Sequence, residues 1–126
     1  MTAARRFSKS VLATIHEGKI LGIRAGTPLH RFIGVWVVVV KGRVFVRSWN
    51  DKPDGWHQAF LEEPRGVIQI PGREIAVRAR QTRGERLMEA IDLAYGEKYN
   101  TPASRKWVRG FALARRRSTT TELVAL

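Results

Sequence analysis

The strongest hydrophobic pattern in the chain predicts a central β-hairpin. Residues 35–40 are all apolar, five valines and one tryptophan, so a strand here is apolar on both faces. Lys41-Gly42 follows, and a two-residue break with glycine in the second place is typical of a tight hairpin turn. Residues 43–48 then divide their side chains between two faces, as a return strand does.

The two faces of this return strand differ in chemistry. Val44, Val46 and Ser48 share one face, while Arg43, Phe45, Arg47 and Trp49 share the other. Arginine and aromatic side chains together on a central strand are unusual for a plain core. The second face is therefore a candidate site for a flat anionic ligand.

The rest of the chain predicts further strands with helices around them. The strands are expected at residues 19–23, 35–40, 43–48, 66–70, 73–80 and 119–126. An N-terminal helix carries Phe7, Val11 and Ile15 and ends at Gly18. A short helix at Trp56 is capped by Asp54, and one from Thr101-Pro102 is closed by Gly110. A longer helix opens with a Thr82–Glu85 capping box, and its buried stripe is Leu87, Met88, Ile91, Ala94, Tyr95 and Tyr99.

This order of elements predicts one α+β domain over residues 1–126. We expect a six-stranded antiparallel split β-barrel with flanking helices. The strand at 35–40 needs cover on its outer face, from a helix or from a second subunit. Since the domain is small, the sequence predicts that part of this cover comes from a homodimer partner.

Composition places the chain among cytoplasmic proteins without disulfides. It has no cysteine, which excludes disulfides, thiol chemistry and cysteine-ligated metals. No run approaches the roughly 20 apolar residues of a membrane span, and the first residues lead into no secretory segment. We therefore expect no membrane partner.

The net charge of +12 is concentrated at the two ends of the chain. Residues 1–50 carry nine basic side chains against one acidic, and residues 98–126 carry seven against one, whereas 51–97 carry seven against nine. Such a distribution attracts nucleic acid, an anionic surface or a phosphorylated small molecule. The alternative is a solvated basic surface with only general affinity for polyanions.

Familiar catalytic motifs are missing from the sequence. His16, His30 and His57 are scattered, without a cluster at metal-ligand spacing. The run Ser118–Thr121 has no base beside it, and no segment has the pattern of a nucleophile elbow. If the protein is an enzyme, a bound cofactor supplies the chemistry.

Several segments resemble known protein families. WHQAFLEEP at residues 56–64 is similar to the tryptophan helix of the deazaflavin-dependent nitroreductases, and Arg24-Ala25-Gly26-Thr27-Pro28 is similar to their Lys-Ser-Gly-x-Pro loop. VWVVVVKGRVFVRSW, the Trp56 helix, AIDLAYGEKY and TTTELVAL together resemble a small bacterial family of unknown function with the FMN-binding split-barrel fold. The pyridoxamine-phosphate oxidases belong to the same broad group.

The resemblance implies a flavin-type cofactor, FMN or a deazaflavin, bound at a dimer interface. The implied cofactor-binding residues are Arg24, Arg47, Ser48, Trp49, Lys52 and Trp56, with Arg47 and Ser48 at the phosphate. Arg47 could instead pair with a carboxylate on a neighbouring strand, and Trp56 could be a core residue. Trp49 is better placed than Trp56 for stacking on a ligand.

Three functions follow as hypotheses. The first is a flavin- or deazaflavin-dependent reductase acting on a small cytoplasmic substrate. The second is a split-barrel domain without cofactor that binds another small molecule or a protein. The third is a basic nucleic-acid-binding protein, with Trp49 as a stacking platform. We rank them in that order.

Overall fold

A computed structural model describes residues 6–26 and 31–126. The strands are β1 (Leu21–Ala25), β2 (Ile33–Val35), β3 (Val37–Val40), β4 (Arg43–Val46), β5 (Arg65–Ile70), β6 (Arg73–Gln81) and β7 (Thr121–Ala125). The helices are α1 (Lys9–Glu17), α2 (Trp56–Glu62), α3 (Glu85–Lys98), α4 (Arg105–Phe111) and α5 (Ala114–Arg117), with a 3₁₀ turn at Pro102–Ser104. None of the helices in these ranges is long and apolar enough to cross a bilayer.

The strands form one antiparallel sheet that nearly closes into a barrel. Its order is β2-β1-β5-β6-β7-β4-β3, and every neighbouring pair is antiparallel. β2 and β3 lie at opposite ends of the sheet, although only Trp36 separates them in the chain. The predicted α+β barrel is confirmed, with one unpaired seam between these two strands.

The seventh strand arises because the predicted strand at 35–40 is divided at Trp36. Val35 pairs with Leu21 of β1, whereas Val37 pairs with Val46 of β4. The two halves have different neighbours, so they count as two strands. The first strand also runs from Leu21 to Ala25 rather than over 19–23, because Ala25 still pairs with β5.

Two apolar clusters lie on the two sides of the sheet. The barrel interior is mainly aliphatic and includes Leu21, Ile23, Val37, Val44, Val46, Ile68, Val77 and Leu123. The outer cluster is mainly aromatic and includes Val38, Phe45, Met88, Ile91, Tyr95, Tyr99 and Phe111. The predicted division of the return strand into two faces, and the buried stripe on α3, are confirmed.

Helix α3 covers the outer face that sequence reasoning assigned in part to a second subunit. Val38 on that face is 1 % exposed within the single chain. The need for cover on this face, from which the homodimer was predicted, is met by α3. The homodimer itself stays a prediction.

Local signals at turns were predicted with mixed success. The Lys41-Gly42 turn is confirmed, with φ of 52° and 75°, as a tight primed turn requires. The predicted caps at Asp54 and Thr82 are wrong. The N-cap residues are Gly55 and Gly84, so neither helix is capped by a side chain. Gly84 has a φ of 114°, which lets the chain turn directly from β6 into α3. Gly110 does not close its helix but lies within α4.

Candidate functional site

All four tryptophans of the chain line one concave pocket of about 520 Å³ beside the seam of the barrel. Trp36 comes from the break between β2 and β3, Trp49 follows β4, Trp56 begins α2, and Trp107 lies on α4. The other lining residues are Ile33, Gly34, Val35, Arg47, Ser48, Asn50, Asp51, Lys52, Gly55 and Phe111. We call this the tryptophan pocket.

The indole of Trp49 is fixed from several sides. The Arg116 guanidinium lies 3.5 Å from its ring centroid. Trp107 and Phe111 meet the ring edge-on, with centroids 4.8 and 5.1 Å away. A Cβ atom on Gly110 would collide with the far edge of the indole, so glycine is required there for close approach. Trp49 is therefore a pre-positioned wall of the pocket.

Trp36 and Trp56 also line the pocket. Trp36 stacks on Tyr99 with the rings 3.9 Å apart and within 3° of parallel. Trp56 is 8 % exposed and packs edge-on against Phe60 of the barrel core. Trp56 is thus a core residue that also lines the pocket, and its contact with a cofactor stays a prediction.

Arg47 lines the pocket, and its side chain is fully buried. Its Nε donates to the Thr120 hydroxyl at 2.8 Å. Nη1 donates to the Asp92 carboxylate at 2.5 Å and to the Phe111 carbonyl at 3.0 Å. Nη2 donates to the carbonyl and sulfur of Met88 at 3.4 and 3.6 Å. Arg47 does pair with a carboxylate, but the partner is on α3 rather than on a neighbouring strand.

A second buried arginine, Arg116, links the backbone after β4 to α4. It donates to the carbonyl of Trp49 at 2.9 Å and to that of Gly110 at 3.3 Å. Asp92, the partner of Arg47, also accepts from Arg117, and these bonds hold the pKa of the Arg117 guanidinium above its usual range. The two buried arginines hold the α4–α5 segment against the end of β4.

The loop after β4 carries the polar rim of the pocket. Asp51 has a φ of 46°, and its N–H donates to the Ser48 hydroxyl at 2.9 Å. Its carboxylate lies 2.8 Å from Nδ1 of His57, whose Nε2 lies 3.0 Å from the Gln81 amide oxygen. Lys52, beside Asp51, is exposed. The rim is therefore rigid at Asp51 and offers one free cation, Lys52, among the described lining residues.

Five of the six predicted site residues line the tryptophan pocket, and Arg24 does not. Arg24 lies on β1, with its guanidinium 4.7 Å from the ring centroid of Phe32. Thr27 and Pro28 of the predicted loop lie outside the described residues. Sequence reasoning missed Trp36, Trp107 and Phe111. The signal available in the sequence concerned Trp36, which interrupts a run of valines.

The pocket offers stacking surfaces rather than catalytic side chains. The described residues contain no group of three or more His, Cys, Asp or Glu side chains that could hold a metal ion. In the outer cluster, burial raises the pKa of the Tyr95 phenol well above its usual range, so it stays neutral. The arrangement favours binding of a flat, largely apolar ring with a polar group at the Lys52 rim.

One protein family matches most of the chain. A model of an uncharacterized protein family conserved in bacteria (DUF2255) matches residues 10–123. No curated protein matches the chain.

Solved structures with the same fold share little sequence with the chain. A conserved hypothetical protein from Mycobacterium tuberculosis is similar with a TM-score of 0.59 and 10 % identity, over 100 % of this chain and 84 % of that one. A putative pyridoxamine 5'-phosphate oxidase from Listeria innocua has a TM-score of 0.57 and 13 % identity, over 93 % and 90 %. A heme-binding protein from Mycobacterium smegmatis has a TM-score of 0.55 and 14 % identity, over 98 % of this chain and 52 % of that one.

Proposed function

The chain belongs to the bacterial DUF2255 family, and we propose that it binds a flavin-type cofactor, FMN or a deazaflavin, in the tryptophan pocket. The observation that carries the proposal is the convergence of all four tryptophans and Phe111 on one cavity of about 520 Å³. Cofactor pockets fall in the range of roughly 300–1,000 Å³ and are lined mainly by apolar and aromatic side chains. The pocket also lies beside the seam of a split barrel.

The lining residues fit the ring system better than they fit a phosphate. Trp36 and Trp49 each have one face covered by another side chain, so both are held in place as stacking surfaces. Lys52 is the free cation at the rim and is the residue assigned here to the phosphate. Arg47 lines the pocket, but its donors are engaged with Thr120, Asp92, Phe111 and Met88. We therefore assign Arg47 to the support of the wall.

A flavin suits the pocket better than a heme does, although one structural neighbour is a heme-binding protein. Heme iron needs an axial ligand, most often His, Met, Cys or Tyr. None of the described residues that line the pocket is of these types. His57 lies next to Trp56, but both of its ring nitrogens face partners within the protein.

A bound flavin supplies hydride or electron transfer, and the protein supplies binding and exclusion of water. Under this proposal the chain is an oxidoreductase for a small substrate that enters at the seam. The rigid wall formed by Trp49, Arg116 and Phe111 orients the ring, and the loop at Asp51 and Lys52 orients its polar tail.

Tryptophan fluorescence gives a direct test, because every tryptophan of the chain lines the proposed site. Titration with FMN should quench most of the emission, and protein separated from unbound FMN should keep an absorbance band at roughly 370–450 nm. A deazaflavin and hemin are titrated in parallel. Unquenched emission with both flavins would refute the proposal, and a heme spectrum with an assigned axial ligand would replace it.

Lys52 separates the phosphate contact from ring binding. Lys52→Gln should weaken FMN about ten- to a hundredfold, because a charge-assisted hydrogen bond contributes about 1.5–3 kcal/mol. Riboflavin lacks the phosphate, so its affinity should not change. Lys41→Gln, an exposed lysine in the hairpin turn, is the matched control. Equal loss for riboflavin and FMN would show that Lys52 shapes the loop and does not bind the phosphate.

A further inference from the structure

The outer face of the sheet, away from the tryptophan pocket, carries a cluster of arginines. Arg24 on β1, Arg65 on β5, and Arg78 and Arg80 on β6 point away from the barrel interior, since their neighbours in sequence are the buried inward residues. We call these four residues the arginine face. Arg65, Arg78 and Arg80 are exposed, and Arg24 is half-buried.

The arginine face contains one pair of like charges on neighbouring strands. Arg65 and Arg78 are directly opposite each other on neighbouring antiparallel strands. Like charges in this position are destabilising. Neither arginine, nor Arg80, forms a salt bridge within the described residues. A bound anion between the two guanidinium groups would remove this repulsion.

The nearby carboxylates are already engaged or lie at the margin. Glu122 is opposite Arg80 in the sheet, but both of its oxygens accept from Arg43 at 3.0 Å. A Glu63 oxygen accepts the backbone N–H of Arg65 at 3.1 Å. Glu74 lies at the far end of β6, paired with Gln69. None of these three carboxylates forms a salt bridge with Arg65, Arg78 or Arg80.

We propose that the arginine face binds the phosphate backbone of double-stranded nucleic acid. Guanidinium groups match phosphate oxygens in geometry and charge. The strands of this face, β1, β5 and β6, contain no aromatic residue, and the nearby Phe32 ring is covered by the Arg24 guanidinium at 4.7 Å, so it is not a free platform for a single-stranded base. They also present no large apolar side chain for insertion into a membrane. A second copy of the chain is disfavoured, because an isologous contact would bring two arginine faces together.

Salt dependence of binding to a fluorescein-labelled 20-base-pair DNA duplex tests the proposal. Four phosphates neutralised by four arginines give a slope of log K against log salt of about −3.6. Affinity should therefore fall about 150-fold between 50 and 200 mM salt. The double substitution Arg65→Gln/Arg78→Gln should halve the slope, so the same salt change should cost only about 12-fold.

Arg105→Gln/Arg109→Gln on α4 is the matched control, because both arginines are exposed and lie off the sheet. It makes the same change in net charge and should keep the parent slope. Equal weakening by both double variants would mean general attraction of a basic protein and would overturn the proposal. Loss of binding to phosphatidylserine vesicles in the Arg65/Arg78 variant, without loss of DNA binding, would assign the face to membranes instead.

Stability gives a second readout that does not depend on DNA. Arg78→Gln removes the like-charge pair, so its Tm without DNA should be higher than that of the parent. DNA should raise the Tm of the parent more than that of the variant. A lower Tm for Arg78→Gln without DNA would mean that the arginine supports the fold, and the argument from the unfavourable pair would fail.

Discussion

The two sides of strand β4 are buried against different kinds of side chain. On the inner side, Val44 and Val46 join an aliphatic cluster, where stability comes from the area removed from water. On the outer side, Phe45 joins aromatic rings, and Arg47 follows as a buried charge. The inward side chains of β4 itself, Val44 and Val46, carry no polar atom, and the buried Thr121 hydroxyl opposite Val46 is bonded to Thr119 and Gln81. The outer side depends on directional bonds that come from three separate parts of the chain.

This difference explains where the tryptophan pocket lies. An aliphatic interior packs to crystal-like density and leaves little room. On the outer side, Arg47 and Arg116 hold backbone carbonyls of the α4 segment at fixed positions. The pocket opens next to these bonds. The comparison predicts that single changes on the outer side affect both stability and ligand binding, while changes on the inner side affect stability alone.

The largest effect is expected at Arg47. Arg47→Ala should lower the free energy of unfolding by about 3 kcal/mol, the low end for a broken buried ion pair. Asp92 keeps its bonds to Arg117, which limits the loss. Flavin affinity should fall as well, because the Phe111 carbonyl loses its donor. Urea unfolding and FMN titration measure the two effects.

Val46→Ala is the matched control on the opposite face. It should cost about 2 kcal/mol of unfolding free energy, from roughly two buried carbons, and leave FMN affinity unchanged. If Arg47→Ala keeps parental stability but loses FMN, the arginine contacts the cofactor itself, and the contrast between the two sides fails.

A smaller effect is expected at Gly110. A Cβ there collides with the Trp49 indole, so Gly110→Ala should cost about 1–3 kcal/mol of unfolding free energy. It should also shift the Trp49 emission as the ring moves. Gly96 lies on α3, where a new Cβ meets only Val108 at 3.8 Å. Gly96→Ala should therefore stabilise the protein by about 0.5–1 kcal/mol. The same sign for both variants would contradict the fixed-wall interpretation.

An effect of pH is expected at Lys98, which donates to the carbonyls of Ile15 and Val37. Burial, and then the charge of Lys19, lower the pKa of Lys98 to about 8. The unfolded chain binds this proton up to a pKa near 10.5, so it holds more protons than the native state between these values. Stability should therefore rise with pH above about 8.

Two buried phenols, Tyr95 and Tyr99, set the upper end of this window, because burial raises the pKa of each. Burial raises the pKa of the Tyr99 phenol from 10.0 to about 12. Above pH 10 the native state keeps a proton that the unfolded chain loses, so stability should fall again. Urea midpoints from pH 7 to 11 should show a maximum near pH 10, and Lys98→Met should flatten only the rising part. A rise that persists in Lys98→Met would assign it to another group.

Local patterns predicted the strands and helices well, because alternation in 43–48 and the stripe on α3 depend on near neighbours in sequence. The division at Trp36 could not be predicted, since Val35 and Val37 choose partners on different strands. The same holds for Arg47. Its partner Asp92 is 45 residues away and the Phe111 carbonyl is 64 residues away. Its face was predictable, but the network that occupies its donors was not.

The position of β7 in the sheet has a consequence for the order of folding. β7 lies between β6 and β4, so it joins the β1–β2–β5–β6 half of the barrel to the β3–β4 hairpin. The hairpins can form from near neighbours, but the Arg43–Glu122 contact closes a span of 79 residues. Long-range closures of this kind slow folding, typically to milliseconds or seconds. We therefore expect refolding to be limited by the docking of β7, and the tryptophan pocket to form only after that step.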